Sequence, residues 1–275
     1  MTCYDLHTHS TASDGSLAPE DLVARAIEHE VDVLALTDHD GTEGIKAAQK
    51  AAEGTALQLI DGVELSVSWG SRTVHIVGLN IDINNQSLQE GLFKLREYRV
   101  GRAQEIAKRL EKAGITGALD GARKYASDVM LGRVHFAKFL IEQGLAKDNN
   151  DVFKRFLVRG KPGYVPGKWA SLDEAMSWIN NAGGQAVIAH PARYKMTATK
   201  LARLTTEFKE LGGAAIEVVS GRQHPEETKT LARLAEKFEL LASRGSDFHT
   251  PDNAWVELGR IAPLPQNVTP VWSVW

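Results

Sequence analysis

Two histidines one residue apart, His7 and His9, stand near the start of the chain in a segment that reads as extended. There, side chains at i and i+2 point the same way, so His-x-His presents both rings to one ion. Asp247 and His249 repeat that spacing near the other end, and Asp38-His39-Asp40, Glu64, His75 and His190 lie between. Imidazole mixed with carboxylate suits zinc, manganese or iron, whereas calcium and magnesium prefer all-oxygen sites. A lone histidine is more often a surface or core residue than a ligand. Of the nine histidines, His29 and His224 fall in helical patterns and take that ordinary reading. His7, His9, His39, His75, His190 and His249 share another kind of place.

That place is set by the elements around them. Short apolar runs read as strands at 3–6, 33–37, 57–60, 73–77, 185–189, 215–219 and 240–243. Helical patterns follow most of them. Pro19 with Glu20 and Asp21 opens one helix, and Ser171-x-x-Glu174 is a capping box that opens another. Segments 201–211 and 225–238 read as two more. Strand–helix alternation predicts an α/β protein with a parallel sheet or barrel. In α/β barrels the active site forms at the carboxyl ends of the strands. His7 and His9 follow the first strand, Asp38-His39-Asp40 the second, His190 the fifth and Asp247-Phe248-His249 the last. Glu64 follows the third across Asp61-Gly62-Val63. His75 lies inside its own strand, on the face opposite Val74 and Ile76. Asp38 and Asp40 read either as groups that orient a ligand or as turn formers, since Asp40-Gly41 is a turn signal.

The alternation stops between about 83 and 171. Helical patterns at 88–113, 134–143 and 152–158 fill this stretch, and 160–167 reads as the loop that leads back. The expected organisation is a barrel from 1–82 and 172–275 with a mostly helical, substrate-capping insertion at 83–171. With 43% apolar and 24% charged residues, the chain of 275 residues has an ordinary globular profile. A net charge of -3 argues against a surface that coats nucleic acid. Cys3 is the single cysteine, which rules out an intrachain disulfide. The start, MTCYDLHTHS, carries no secretory pattern, and no stretch is apolar enough to span a bilayer. The expected location is the cytoplasm, with no membrane association and no obligate protein partner.

Taken in order, several motifs resemble those of the polymerase-and-histidinol-phosphatase (PHP) domain family. They are Asp5-Leu6-His7-Thr8-His9-Ser10, Ser13-Asp14-Gly15, Leu36-Thr37-Asp38-His39-Asp40, Gly62-Val63-Glu64, His75, Ala189-His190-Pro191 and Gly245-Ser246-Asp247-Phe248-His249. The resemblance runs from the first strand to about residue 250, with none of the motifs missing. It implies a distorted seven-stranded (β/α)7 barrel and two to three divalent ions, manganese first, with zinc, iron and magnesium as alternatives. On that pattern His7, His9, Glu64 and Asp247 hold one ion. Glu64, bridging, holds a second with His75 and His190; Asp14, His39 and His249 hold the third. Asp14 enters through the resemblance alone, since Ser13-Asp14-Gly15 by itself reads as a turn. Asp14, His39 and His249 are also candidates, by position, for substrate contact and for protonating a leaving oxygen. Three carboxylates and three divalent ions leave the cluster at about +3, which attracts a phosphate dianion and stabilises its transfer. Paired ions also lower the pKa of a bridging water towards 7. No Ser or Cys nucleophile motif competes.

The helix expected from Leu88 carries an anomaly. Its apolar stripe runs Leu88, Leu92, Leu95, then Arg99 and Arg102, then Ile106 and Leu110. Helices normally keep charges off such a stripe. Either the stripe ends and both arginines are solvated or paired with Glu97 or Glu105, or they form an anion pocket facing the metal mouth. Gly101 between them costs about 1 kcal/mol against alanine and would let a ligand approach the backbone. Gly132-Arg133-Val134-His135 supports the pocket, because it opens a helix and helix N-termini favour anions. Lys161 and Lys168 are weaker candidates. Arg99, Arg102, Arg133 and His135 would hold a second phosphate. This resembles the subfamily that removes the 3'-phosphate from 3',5'-bisphosphonucleosides, some relatives of which trim short 5'-phosphorylated RNA. The expected substrate is the small nucleotide, with short oligoribonucleotides as a lesser activity. Rival readings are a histidinol phosphatase, a C–N amidohydrolase and a structural metal module. The tryptophans at 169, 178, 255, 272 and 275 read as packing residues, with a place for one near the cleft to stack on a base.

Overall fold

In the computed structural model, which describes residues 2–126 and 130–275, strand β1 (Tyr4–Thr8) pairs in parallel with β2 (Val33–Leu36), and β2 with β3 (Gln58–Trp69). The order continues through β4 (Arg72–Leu79), β6 (Gln185–Ile188), β7 (Ala215–Ser220) and β8 (Leu241–Gly245). A short β5 (Ala170–Ser171) lies off this path and pairs with β3. Beyond β8 the chain returns to β1: Asp247 N–H donates to His7 O at 2.8 Å and His9 N–H to Phe248 O at 2.9 Å. The result is a nearly closed seven-stranded α/β barrel.

One expectation changes here. The run at 57–60 continues to Trp69, so Asp61-Gly62-Val63 is strand rather than link and Glu64 lies within β3. Gly70, at φ 58°, turns the chain straight back into β4. A hairpin this tight joins antiparallel strands only, so β4 runs against β3, and against β6 as well. His75 faces Ser66 across the hairpin, which puts it on the same face as Glu64.

Helices α1 (Pro19–Glu28) and α2 (Ile45–Ala52) bury Leu22, Val23, Ala26 and Ile45 in a cluster with Leu34 and Leu36 of β2. In α1, Pro19 takes the first position, with Glu20 and Asp21 at the positive end. The capping box forms as its residues require: Ser171 Oγ accepts from Glu174 N–H at 3.2 Å, and Glu174 Oε2 accepts from Ser171 N–H at 2.8 Å.

The chain folds as two compact units, Met1–Leu92 with Ala170–Trp275, and Phe93–Trp169. The first division falls inside helix α3 (Gln86–Lys112), later than the 82/83 boundary read from sequence. Leu88 and Leu92, in its first turns, are fully buried in the first unit. The second unit holds α4 (Ala118–Arg123), α5 (Arg133–Glu142) and α6 (Asn149–Val152), which runs on into a wider helical turn, Phe153–Leu157. Its own core includes Ile106, Leu110, Phe136, Leu140, Val152 and Leu157.

Candidate metal centre

The ladder is irregular at two places, between Asp5 and Thr8 on β1 and between Glu217 and Val219 on β7. Bulges of this kind re-aim side chains near active sites. They flank His7 and Glu217, which meet: Glu217 Oε1 lies 3.2 Å from His7 Nδ1. Gly245 permits the approach. A Cβ there would fall 2.2 Å from His7 Cβ and 2.9 Å from Glu217 Oε1. Asp40, His190 and Asp247 all have positive φ, a strained setting for non-glycine residues that clusters at functional sites.

Around Glu64 the side chains converge. Its Oε1 is 2.8 Å from His75 Nδ1 and 2.9 Å from His190 Nε2, and its Oε2 is 2.8 Å from His39 Nδ1. On the other side, His7 Nε2 and His9 Nε2 lie 3.4 Å and 3.3 Å from Glu64 Oε2, and 3.5 Å and 3.1 Å from Asp247 Oδ1. Ligands bound at about 2.0–2.1 Å in a tetrahedron sit roughly 3.4 Å apart, so these four atoms have the spacing of one ion's ligands. His7 Nε2 is buried and makes no hydrogen bond, as expected of an atom kept for an ion. Further out, His249 Nε2 is 3.2 Å from Asp14 Oδ1 and His39 Nε2 is 3.8 Å from Asp14 Oδ2. Three groups therefore have ligand atoms close enough for an ion: His7, His9, Glu64 and Asp247; His39, Glu64 and His75; and His9, Asp14, His39 and His249. All nine ligand candidates read from the sequence (His7, His9, Asp14, His39, Glu64, His75, His190, Asp247 and His249) lie in this one cluster. The grouping differs in that His39 and His9 each stand between two groups.

Electrostatics follows from burial and mixed charge. Burial opposes charge on His7, but Glu64, Glu217 and Asp247 outweigh it and hold its pKa well above the usual value. Burial is likewise overcome at His249, where Asp14 and Asp247 raise the pKa to about 10. At His9 burial wins, reinforced by His249, and the pKa falls to about 3. Burial would raise the carboxyls of Asp14, Glu64 and Asp247, yet the histidines around them hold all three well below the ordinary range.

Two contributors escaped the sequence reading. Glu217 is the one charged residue of β7, and its Oε2 also accepts from His190 N–H. That isolated charge was the signal for it. Arg193 pairs through Nη1 with Asp247 Oδ2; its place in a turn after His190 carried no pattern. Asp38 proves to be an anchor. It accepts from Ser10 N–H, Ser10 Oγ and Ser13 Oγ, which holds the loop that carries Asp14. Asp40 Oδ1 accepts from Ser66 N–H beside Glu64.

In the helical unit the apolar stripe does not end at Arg99 and Arg102. Both are buried, at 9% and 8% exposure, so the solvated alternative falls. Their guanidiniums lie 4.9 Å and 5.3 Å from the Trp169 ring, and Arg102 Nη2 donates to Val165 O. Burial, then the charges of Arg133 and Arg99, lowers the Arg102 pKa to about 10, so the three cations are near neighbours. Arg133 also lies over Phe153. His135 Nδ1 accepts from Gly132 N–H at 3.0 Å, a cap for α5. Gly101 is exposed and a Cβ there would meet nothing within 4 Å, so no close approach explains it. Lys161 and Lys168 are exposed.

A solved structure of a protein from Chromobacterium violaceum, described as an amidohydrolase with bound SO4 and no metal, superposes with a TM-score of 0.94 at 45% identity, covering 99% of this chain and 95% of that one. Another from Bifidobacterium adolescentis, for which metal-dependent phosphoesterase is the suggested activity, gives 0.82 at 26% identity over 99% and 94%. The 5'-3' exoribonuclease Rnm of Escherichia coli is 50% identical over 274 residues, 99% of this chain and 93% of that protein. The 3',5'-nucleoside bisphosphate phosphatase of Chromobacterium violaceum is 45% identical over 273 residues, 99% and 96%. A match to the PHP domain model across residues 5–211, in a chain with relatives this similar along nearly its whole length, leads to one conclusion: this chain belongs to the PHP domain family.

Proposed function

We propose that this chain is a metal-dependent phosphatase that removes the 3'-phosphate from 3',5'-bisphosphonucleosides, with short 5'-phosphorylated oligoribonucleotides as a lesser substrate. The observation that carries this reading is the convergence of imidazoles and carboxylates on Glu64. The names of the two relatives support the substrates: one acts as a 3',5'-nucleoside bisphosphate phosphatase, the other as a 5'-3' exoribonuclease.

In this reading His7, His9, Glu64 and Asp247 hold one divalent ion, Glu64 with His75 and His190 a second, and Asp14, His39 and His249 the third. Divalent ions, manganese first, would supply charge stabilisation for the phosphate and lower the pKa of the attacking water. Glu217 orients the His7 ring by accepting at Nδ1, which frees Nε2. His249 holds a proton through its contact with Asp14 and lies at the open side of the cluster, with its side chain 31% exposed. With two ions bound and the third position empty, it is suited to protonate the leaving 3'-oxygen. Arg99, Arg102 and Arg133 would bind the substrate's 5'-phosphate, since guanidinium forks match phosphate oxygens. His135 fixes the start of the helix that carries Arg133. A nucleotide substrate and a single thiol, Cys3, fit a cytoplasmic enzyme.

The test is phosphate release from mono- and bisphosphorylated nucleosides with manganese, zinc, iron or magnesium added after chelation. Release from adenosine 3',5'-bisphosphate ahead of the monophosphates is the expected result. A C–N hydrolase, the activity in one structural relative's name, would release ammonia or an amine and no phosphate.

A further inference from the structure

Next to the cluster the barrel carries a feature that removal of a terminal phosphate does not use. Past the ends of β7 and β8, Ser220, Gly221, Arg222, Trp255 and Arg260 help to line an open cavity of about 420 Å3. The lining includes three cationic side chains, Arg222, Lys229 and Arg260, and no acidic one. Lys229 is engaged by Glu226 at 2.8 Å. Arg222 and Arg260 have no side-chain partner among the described residues. Trp255 does not pack as the sequence reading expected: it is 79% exposed, the most exposed of the large apolar side chains described. An indole left in water at the rim of a cationic cavity offers a face on which a base can stack.

The cavity is tied to the metal centre by one side chain. Arg193 Nη1 pairs with Asp247, while its Nη2 donates to Gly221 O at 3.2 Å and lies 3.4 Å from Ser220 Oγ. One guanidinium thus spans from a ligand candidate to the cavity wall. Gly221 keeps the two close, because a Cβ there would fall 2.0 Å from Ser246 O, in the residue before Asp247.

We propose that this cavity binds the nucleoside on the 3' side of the scissile phosphate of an oligoribonucleotide, its base stacked on Trp255 and the following phosphate held by Arg222 and Arg260. The proposal rests on the reading that this centre hydrolyses the bond between phosphorus and the 3'-oxygen. Water attacks phosphorus, the P–O3' bond of the first nucleotide breaks and that oxygen leaves with a proton. The phosphate stays on the 5'-oxygen of the second nucleoside. A 3',5'-bisphosphonucleoside has no second nucleoside, so the cavity serves oligonucleotides alone and sets the choice between the two substrates.

The experiment uses the manganese-loaded enzyme with adenosine 3',5'-bisphosphate and with 5'-phosphorylated di- and triadenylate. Trp255→Ala should lower kcat/KM for the dinucleotide, relative to the bisphosphate, about tenfold through KM, and Trp255→Phe should restore most of it. Arg222→Ala with Arg260→Ala should lower the same ratio for the trinucleotide more than for the dinucleotide. An unchanged ratio in all variants, or equal losses on both substrates, overturns the proposal. Dinucleotide binding followed by tryptophan fluorescence is the second arm: quenching should be smaller in Trp255→Phe than in wild type. If the wild type cleaves neither substrate, the functional reading fails. The binding arm then decides the cavity by itself: binding insensitive to Trp255→Ala sinks it, and weakened dinucleotide binding upholds it.

Discussion

Glu217 Oε1 lies 3.2 Å from Nδ1 of His7, while Glu64 Oε2 lies 3.4 Å from Nε2 of the same ring. One imidazole is thus held between a carboxylate that orients it and a carboxylate that shares its ligand side. Partners of this kind commonly affect metal affinity by about 10–100-fold. Glu217→Gln should weaken metal binding within that range while leaving the far-ultraviolet circular dichroism unchanged. Activity should return at high metal concentration. A metal titration that shows wild-type affinity would remove Glu217 from the site.

Arg99 and Arg102 are buried beside Trp169, where a phosphate would be a charge-matched partner. Charged hydrogen bonds are worth about 1.5–3 kcal/mol, or roughly 10–150-fold in kcat/KM. Arg99→Ala and Arg102→Ala should each lower kcat/KM for adenosine 3',5'-bisphosphate on that scale, with a smaller effect on a 3'-monophosphate. Equal effects on both substrates would refute a 5'-phosphate site at these arginines.

Metal loading should acidify the solution. His249, raised to about 10, and His7, raised well above its usual value, both carry protons near neutral pH. A divalent ion needs the lone pairs that these protons occupy, so binding must expel them. The sign is fixed: affinity falls as pH falls. Calorimetric titration in buffers of different ionisation enthalpy counts the protons. A count near zero at neutral pH would show that these rings are neutral before the ion arrives.

Gly245→Ala is a test of packing at the site. The added Cβ would meet His7 Cβ at 2.2 Å and the His7 backbone N at 2.7 Å, neither of which can swing away. Overpacking of this kind costs about 1–3 kcal/mol. The urea midpoint should drop accordingly, and metal affinity should drop with it as His7 is pushed off Glu64. A stable variant with normal affinity would mean that β8 can move.

Much of this protein is written in local pattern. His7, His9, His39, Glu64, His190, Asp247 and His249 were legible as candidates because short apolar runs announce strands, and side chains at strand ends of an α/β barrel share one mouth. The misplaced charges at Arg99 and Arg102 were legible because they interrupt a helical stripe. Other features depend on which strands become neighbours. His75 joins Glu64 only because Gly70 folds β4 back against β3, and a run that ended at 60 gave no sign of that hairpin. Glu217 reaches His7 through a bulge on each strand, and Arg193 reaches Asp247 from a separate turn. Trp255 resembled a packing residue until the fold left it in water. The amino-acid sequence by itself determined the ligand types, their spacing and the α/β class, because these follow from local periodicity and side-chain chemistry. Only the tertiary structure decided which ligand candidates lie close enough to share an ion, which groups touch them and where a cavity opens beside them, because contacts between residues distant along the chain are set by strand register and packing.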